Sequence, residues 1–335
     1  MRRLLQYLFK GVITRIANRY AAAPDRKSVF KSLTHLCNLS EKENKSVCTQ
    51  LIDANSRFII FSDQHKGNGD YADDFRGCEM NYINALKYYH ENDFTFINLG
   101  DSEELWKYKP DQVLPKCIEA FKAEGAFQQK KKYIKTFGNH DLLWKNKIDV
   151  NIFLKPYFLL PLPVWEAVLL KLSINETLLS ILLTHGHQGD KMSDNNRLST
   201  WLVAHIWTPF QRYLRINVNT PSTDEHLRNK HNRIMYDWSS RTKNMLLITG
   251  HTHQPVFASG RYSDHVSNDF EKPDLHPVKP SYFNSGCCCF NDGDITGIEI
   301  ADGFIRLIRW HNNAGHSEKT ILEEKALGAL MRDLQ

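Results

Sequence analysis

A β-prone apolar run ends in Thr136-Phe137-Gly138-Asn139-His140-Asp141, where a glycine is followed at once by an amide, an imidazole and a carboxylate. Open α/β folds place their ligand sites at the carboxyl ends of strands. The stretch therefore predicts that polar, ligand-binding side chains lie at the mouth of a sheet.

Five other apolar runs also end before Asp, Asn or His. They are Phe58 to Phe61 before Asp63 and His65, Phe94 to Leu99 before Asp101, Thr177 to Thr184 before His185 and His187, Met245 to Thr249 before His251 and His253, and Ser281 to Phe283 before Asn284. Donor side chains after six separate runs favour one convergent metal site over six unrelated surface residues.

Apolar spacing predicts an alternation of strands and helices from Leu51 onward. One helix is expected from about Asp74 to His90, and a second one stops at Gly125. Their inner faces are Phe75, Cys78, Tyr82, Leu86 and Tyr89, and Val113, Leu114, Cys117, Ile118 and Phe121. Such a βαβαβ unit implies parallel strands joined by right-handed crossovers.

The second half of the chain is expected to return to strands. The predicted elements are a hairpin turning at Asn175-Glu176, strands at Leu246 to Thr249, Ser281 to Phe290, Ile295 to Ile300 and Phe304 to Trp310, and a surface helix from Ile321 to Leu334. These elements place the main domain at residues 51–315 and a C-terminal helix at 316–335.

Composition excludes several classes of protein. Seven cysteines without regular spacing argue against a disulfide framework and predict reduced thiols in a cytoplasmic setting. Cys287-Cys288-Cys289 is interpreted as strand filling, because adjacent strand residues point to opposite faces. The most apolar region, Phe158 to Leu183, is broken by prolines and charged residues and cannot span a bilayer. A net charge of +5 does not imply a general affinity for nucleic acid.

Residues 1–50 form a basic extension without donor motifs. Met1 to Tyr20 has apolar residues at helical spacing, with Arg2, Arg3 and Lys10 outside the apolar arc. Two interpretations stay open for this helix: it packs on its own domain, or it lies on an anionic membrane surface.

Residues 190–244 interrupt the alternation between two donor-bearing strands, and we interpret this inserted segment as a helical cap at the rim of the site. Its candidates for binding an anionic substrate are Arg197, Arg212, Arg215, Arg228 and Arg233. The alternative is that its tryptophans form a small core and its arginines a solvated face.

The donor types indicate the chemistry. Asp, His and Asn donors suit Mn, Fe, Zn or Ni rather than an all-oxygen Ca or Mg cage. Six or more donors exceed the need of one four-coordinate zinc, so two ions sharing a carboxylate are predicted. A metal pair about 3.5–4 Å apart can lower the pKa of a bridging water and hold both oxygens of an in-line displacement at phosphorus. This predicts phosphoester hydrolysis.

The ordered motifs resemble those of the calcineurin-like metallophosphoesterases. They are Asp63-x-His65-x-Gly67, Gly100-Asp101, Gly138-Asn139-His140-Asp141, His185-Gly186-His187 and Gly250-His251-Thr252-His253, followed by Asn284-Ser285-Gly286. The resemblance covers roughly residues 55 to 310. It implies a four-layer αββα sandwich of two mixed sheets.

The resemblance also implies roles for the donors, with two metal ions and manganese favoured. One ion would be bound by Asp63, His65, Asp101 and His253, and the other by Asp101, Asn139, His185 and His251, so that Asp101 bridges them. His140 resembles the non-ligand histidine that contacts the scissile phosphate or protonates the leaving oxygen, and Asp141 would orient it. His187 and Asn284 would support the site from behind the ligands.

Within this family, the basic first helix and the insertion are most similar to enzymes that cleave the pyrophosphate of UDP-2,3-diacylglucosamine. This implies a lipid-linked substrate and contact of residues 1–20 with the inner membrane face. One alternative is a phosphomonoesterase or phosphodiesterase that acts on a soluble nucleotide or phosphoprotein. Another is a non-catalytic scaffold with the same fold, and nucleic acid is not favoured as a partner.

Overall fold

The computed structural model describes residues 24–40, 46–53, 55–174, 177–190, 225–258 and 279–335. Its helices are α1 (Arg26–Ser40), α2 (Glu79–Glu91), α3 (Pro110–Val113), α4 (Ile118–Gln129), α5 (Lys147–Asp149), α6 (Glu225–Arg241) and α7 (Leu327–Leu334). Its strands are β1 (Val47–Ile52), β2 (Phe58–Phe61), β3 (Thr95–Leu99), β4 (Tyr133–Thr136), β5 (Val164–Trp165), β6 (Ala167–Ile174), β7 (Thr177–Thr184), β8 (Met245–Thr249), β9 (Tyr282–Asn284), β10 (Ile295–Ala301), β11 (Phe304–Asn313) and β12 (His316–Ala326).

The strands form two mixed sheets, as predicted. One has seven strands in the order β12-β11-β10-β2-β3-β4-β5, and the other has five in the order β1-β6-β7-β8-β9. Strands β2, β3 and β4 are parallel neighbours, which confirms the predicted βαβαβ unit. Strands β7, β8 and β9 are also parallel. Each triplet therefore brings its carboxyl ends to one edge of its sheet.

Successive side chains along a strand point to opposite faces of its sheet, and this alternation separates the layers of the sandwich. In β2, Phe58 and Ile60 pack between the two sheets, whereas Ile59 and Phe61 pack beneath α2 and α4. In the five-stranded sheet, Leu169 packs against α1 and α6. Because each sheet is covered by helices on its outer face, the architecture is the four-layer αββα sandwich.

Helix α2 confirms the predicted inner face, since Phe75, Cys78, Tyr82, Leu86 and Tyr89 are all buried. The helix itself begins at Glu79 and not near Asp74.

Three other predicted boundaries are wrong. Helix α4 continues through Gly125 to Gln129, because it packs on the sheet through buried Phe121 and Phe127, and Ile118 at its start is exposed. The run Ile321 to Leu334 is a strand up to Ala326, since β12 pairs with β11, and only α7 is helical. Strand β9 ends at Asn284, so the three adjacent cysteines are buried loop residues and not strand filling.

The predicted extension at 1–50 is also shorter than expected. Helix α1 buries Val29, Leu33 and Leu36 against the five-stranded sheet, and β1 forms the edge of that sheet. Both elements belong to the sandwich because a sheet face needs an apolar cover. The predicted helix at residues 1–20 lies outside the described residues. Among the residues that are described, no helix has the length and apolar character needed to cross a membrane.

Candidate metal centre

The loops after β2, β3 and β8 hold predicted ligands in the left-handed backbone region. The φ angles are 54° for Asp63, 50° for His65, 50° for Asp101, 69° for His251 and 56° for His253. For residues other than glycine this conformation costs roughly 1–3 kcal/mol each and persists only where the surroundings enforce it. Such clustered strain is typical of a functional site.

One group of donors converges from both sheets. The Nε2 atoms of His65 and His253 lie 3.2 Å apart. Nε2 of His253 lies 3.2 Å from Oδ1 of Asp63, and Nε2 of His65 lies 3.7 Å from Oδ2 of Asp101. These four side chains form the first half of the candidate centre, and all are buried.

A second group lies on the other side of Asp101. Nε2 of His185 is 3.1 Å from Oδ2 of Asp101 and 3.2 Å from Oδ1 of Asn139. The donor atoms of Asp101, His185 and His251 lie within 4.8 Å of one another. Since Asp101 is shared by both groups, the geometry matches the bridging position implied by the motifs.

The donors fit a pair of cations by their orientation as well as by their type. Nδ1 of His65 faces Glu104 at 3.1 Å, and Nδ1 of His185 faces the backbone oxygen of Leu99 at 3.0 Å. Both rings thereby turn Nε2 inward, which is the usual arrangement around a metal-binding histidine. Oδ1 of Asp63 and both ring nitrogens of His251 are buried without a hydrogen-bond partner. A divalent cation would satisfy these atoms.

Nearby carboxylates and burial shift the pKa values of two histidines of the centre in opposite directions. Burial lowers the pKa of the His185 ring, but the carboxylates of Asp101 and Asp63 outweigh burial and raise that pKa to about 9. Burial, with the nearby rings of His231 and His185, holds the pKa of His251 well below its ordinary value. A cation competes with protons for the lone pairs of such donors.

The side chain of His140 is 13% exposed, and its backbone N–H donates to Oδ1 of Asp101 at 2.8 Å. Its ring stacks on Trp106 with centroids 4.1 Å apart, and its Nδ1 lies 2.8 Å from Oε1 of Glu104. The same Glu104 contacts the ring of His65. One carboxylate therefore touches both a predicted ligand and the predicted catalytic histidine.

The orienting role expected of Asp141 is wrong. Its carboxylate accepts hydrogen bonds from the backbone N–H groups of Asp101, Ser102 and Gly138, so it shapes the loop and does not contact the His140 ring. Sequence reasoning missed Glu104 because it follows Asp101 by three residues in a loop without periodicity. Its position just after the Gly100-Asp101 motif was the available signal.

Cys289 is a second residue that the sequence did not assign to the site. Its Sγ lies 3.6 Å from Nδ1 of His253, and it groups with His65 and His253 as a candidate metal donor. This contact was not predicted, because Cys287-Cys288-Cys289 was interpreted as part of a strand that only packs in the core. The backbone after β9 turns at Gly286, where φ is 75°, and this turn carries the thiol inward.

The two supporting residues are placed as follows. His187 is buried beside His185, with ring centroids 5.5 Å apart. Asn284 donates from Nδ2 to the backbone oxygen of Gly250 at 2.6 Å and to Oγ1 of Thr252 at 3.1 Å. Asn284 thus holds the loop that carries His251 and His253.

The inserted segment is described only in part. Arg197, Arg212 and Arg215 lie outside the described residues. For Arg228 the structure describes only the backbone, which belongs to α6. Arg233 is exposed on α6. The neighbouring Trp238 is buried against the five-stranded sheet, so this end of the insertion belongs to an outer layer of the sandwich and not to a cap.

The family comparison agrees with this arrangement. A sequence model described as calcineurin-like phosphoesterase matches residues 56–255, a range that contains all seven predicted ligands. Vacuolar protein sorting 29 from Cryptosporidium parvum aligns at 14% identity and a TM-score of 0.35, covering 81% of this chain and 98% of that one. A single mutant of Vps29 from Entamoeba histolytica aligns at 11% identity and a TM-score of 0.33, covering 80% and 99%. A search of curated proteins finds no match.

Proposed function

The chain belongs to the calcineurin-like phosphoesterase family, and from this we propose that it is a cation-dependent hydrolase of phosphoester or pyrophosphate bonds. The observation that carries the proposal is the pair of donor groups on either side of Asp101. None of the seven ligands implied by the motifs is replaced, which favours a catalyst over a scaffold that has lost its metals.

Two cations would be held by the donors already described, one by Asp63, His65 and His253 and the other by Asn139, His185 and His251, with Asp101 between them. When bound, they would supply Lewis acidity that activates water and offsets charge on the phosphoryl oxygens. Manganese remains the favoured ion, because mixed oxygen and nitrogen donors suit it.

The protein's own contribution to proton transfer is assigned to His140. The ring is 13% exposed and lies next to His65, with centroids 4.5 Å apart. A carboxylate at Nδ1 orients the ring and leaves Nε2 as the nitrogen that can pass a proton to a leaving oxygen. Glu104 supplies that carboxylate, and Trp106 restricts rotation of the ring by stacking.

The test is hydrolysis of p-nitrophenyl phosphate, bis-p-nitrophenyl phosphate and nucleotide-sugars by the full chain with Mn²⁺, Fe²⁺, Zn²⁺ or Ni²⁺. Turnover should vanish with chelator and return with the cation. Asp101→Asn should lose both ions and most turnover, whereas Asp111→Asn, at an exposed carboxylate, should match the parent. Undiminished turnover in chelator or in Asp101→Asn would remove the proposal.

A second candidate is hydrolysis of a lipid-linked pyrophosphate, and a surface stripe that follows the His140 loop in the chain favours it. The stripe comprises residues 147–160, of which 147–157 turn helically, and Val150, Leu154 and Phe158 are buried beneath it. The outward side presents aliphatic side chains that are 38–80% exposed, together with two exposed lysines; these residues are Ile148, Ile152, Leu159 and Leu160, and Lys147 and Lys155. Apolar and basic groups side by side suit an anionic lipid surface.

A further inference from the structure

The loop Gly250 to His253 carries two of the strained donors and is held from behind by side-chain hydrogen bonds. Thr252 lies between His251 and His253, both of which have positive φ. Left-handed backbone is intrinsically disfavoured for both histidines, since neither is a glycine. The local sequence by itself therefore does not favour this loop conformation. The contacts of Thr252 therefore decide whether the loop keeps its shape.

One set of those contacts comes from the inserted segment. Asn232 on α6 is fully buried, and its Oδ1 accepts hydrogen bonds from Oγ1 of Thr252 at 3.1 Å and from the hydroxyl of Tyr282 at 2.8 Å. Its Nδ2 donates to Oε1 of Gln254 at 3.3 Å. The amide thus binds the loop on both sides of His253.

The hydrogen-bond directions form one consistent chain. Thr252 donates its proton to Asn232 and accepts one from Nδ2 of Asn284. Asn284 is the supporting residue expected from the motifs, whereas Asn232 lies outside every motif. The preceding residue on α6, His231, is also buried, and its ring centroid is 5.1 Å from that of His251. One turn of the helix therefore contacts His251 through His231 and binds the residues on either side of His253 through Asn232.

We propose that Asn232 is a positioning residue for the cation-binding histidines, through which the inserted segment holds His251 and His253 in their strained geometry. The inference rests on the proposed function, because it treats these histidines as ligands. It extends that function by making the insertion part of the metal centre's support. Loss of the amide lets Thr252 relax and turns each imidazole away from the cation position that it faces.

The experiment compares Asn232→Ala and Thr252→Val in the full chain with Ser239→Ala as a matched control. Ser239 lies on the same helix and makes a comparable buried hydrogen bond, 2.9 Å to Ser281, but it does not contact the loop. Mn²⁺ affinity is measured by calorimetric titration. Hydrogen–deuterium exchange of the peptide covering 245–258 is measured with and without Mn²⁺.

Asn232→Ala and Thr252→Val should each weaken Mn²⁺ binding about 10- to 100-fold, as expected for a residue that orients a ligand. The double variant should lose less affinity than the sum of the two single losses, since both variants remove the bond between Asn232 and Thr252. Exchange in the loop should quicken in both variants and stay unchanged in Ser239→Ala. Should Asn232→Ala fail to fold, Thr252→Val removes the bond from the loop side and leaves α6 intact.

Additive effects in the double variant, or loop exchange equal to that of the parent, would overturn the positioning role. A parent protein that binds no Mn²⁺ would overturn the proposed function instead. The exchange measurement would still decide whether Asn232 holds the loop, because it needs neither cation nor turnover.

Discussion

Glu104 joins two residues that the motifs treat separately. Its two carboxylate oxygens contact Nδ1 of His140 at 2.8 Å and Nδ1 of His65 at 3.1 Å. Burial by itself raises the pKa of Glu104, but His140 and Lys107 outweigh it and hold that pKa well below the usual range. One charged carboxylate can therefore orient both His65, a predicted ligand, and His140, the predicted proton donor.

We expect His140→Ala to lower kcat by about 10²- to 10⁴-fold, the usual contribution of a proton donor, with both cations still bound. Glu104→Gln should lower kcat by about 10- to 100-fold and also weaken cation binding, because it loosens His65. Steady-state kinetics with elemental analysis separates the two effects. Glu119→Gln, at an exposed glutamate on α4, is the matched control. Loss of cations in His140→Ala would instead make this residue a ligand.

The loops after β2 and β8 approach so closely that a glycine is required between them. The backbone N–H of His251 donates to Oδ2 of Asp63 at 2.9 Å, across the two sheets. A Cβ at Gly250 would overlap that same oxygen and Oγ of Ser62. Packing of the two sheets therefore depends on the absence of a side chain at this position.

Gly250→Ala should displace Asp63 and lower cation-dependent turnover by about 10²-fold, the cost of a shift near 1 Å in a catalytic group. Circular dichroism should remain that of the parent, because both sheets persist. Gly328→Ala is the control, since a Cβ there meets only open space in α7 and should stabilise the fold by roughly 0.5–1 kcal/mol. Parent-like kinetics in Gly250→Ala would show that the loops have room to separate.

The apolar and basic stripe at 147–160 starts shortly after the loop that carries His140 and ends beside the last turn of α4, where the backbone N–H of Leu160 donates to Oε1 of Gln128 at 3.1 Å. Lys145, which precedes the stripe, has its Nζ 5.9 Å from the centre of the Phe137 ring, at the base of the loop that carries His140. The Lys147 end of the stripe therefore lies nearer in the chain to the His140 loop, and we propose that a lipid surface contacts the stripe. The predicted first helix would be a separate membrane contact.

Ile148→Ser/Ile152→Ser/Leu159→Ser should weaken binding to phosphatidylglycerol vesicles at least tenfold, because each removed side chain forfeits apolar burial. Turnover of p-nitrophenyl phosphate should not change. Binding of the parent should fall with salt, since the lysines add about 1 kcal/mol each of screened attraction. Co-sedimentation with the vesicles measures the binding of each variant. Leu51→Ser is the control, because Leu51 is an exposed leucine on β1. Equal binding of parent and triple variant, or none by the parent at low salt, would exclude this surface.

Much of the fold and the donor set followed from the sequence, because both depend on local patterns. Apolar strands that end in Asp, Asn or His report burial and donor chemistry at the same positions, so the six strand ends and the seven candidate donors could be predicted without knowledge of contacts. The sandwich layers were implied by the resemblance of the ordered motifs to the family. The predictions failed at Gly125 and at β12, where packing of the helix on the sheet and pairing with β11 outweigh local propensity.

Tertiary structure alone decided which other residues complete the centre. Glu104 meets a ring 36 residues away, Cys289 meets one 36 residues away, and Asn232 binds a hydroxyl 20 residues away. Each of these is a single polar side chain in a loop or on a helix, without a periodic pattern that reports its partner. Their roles depend on how the two sheets and the inserted helix close around the loops, and long-range packing determines that closure because local preference cannot specify it.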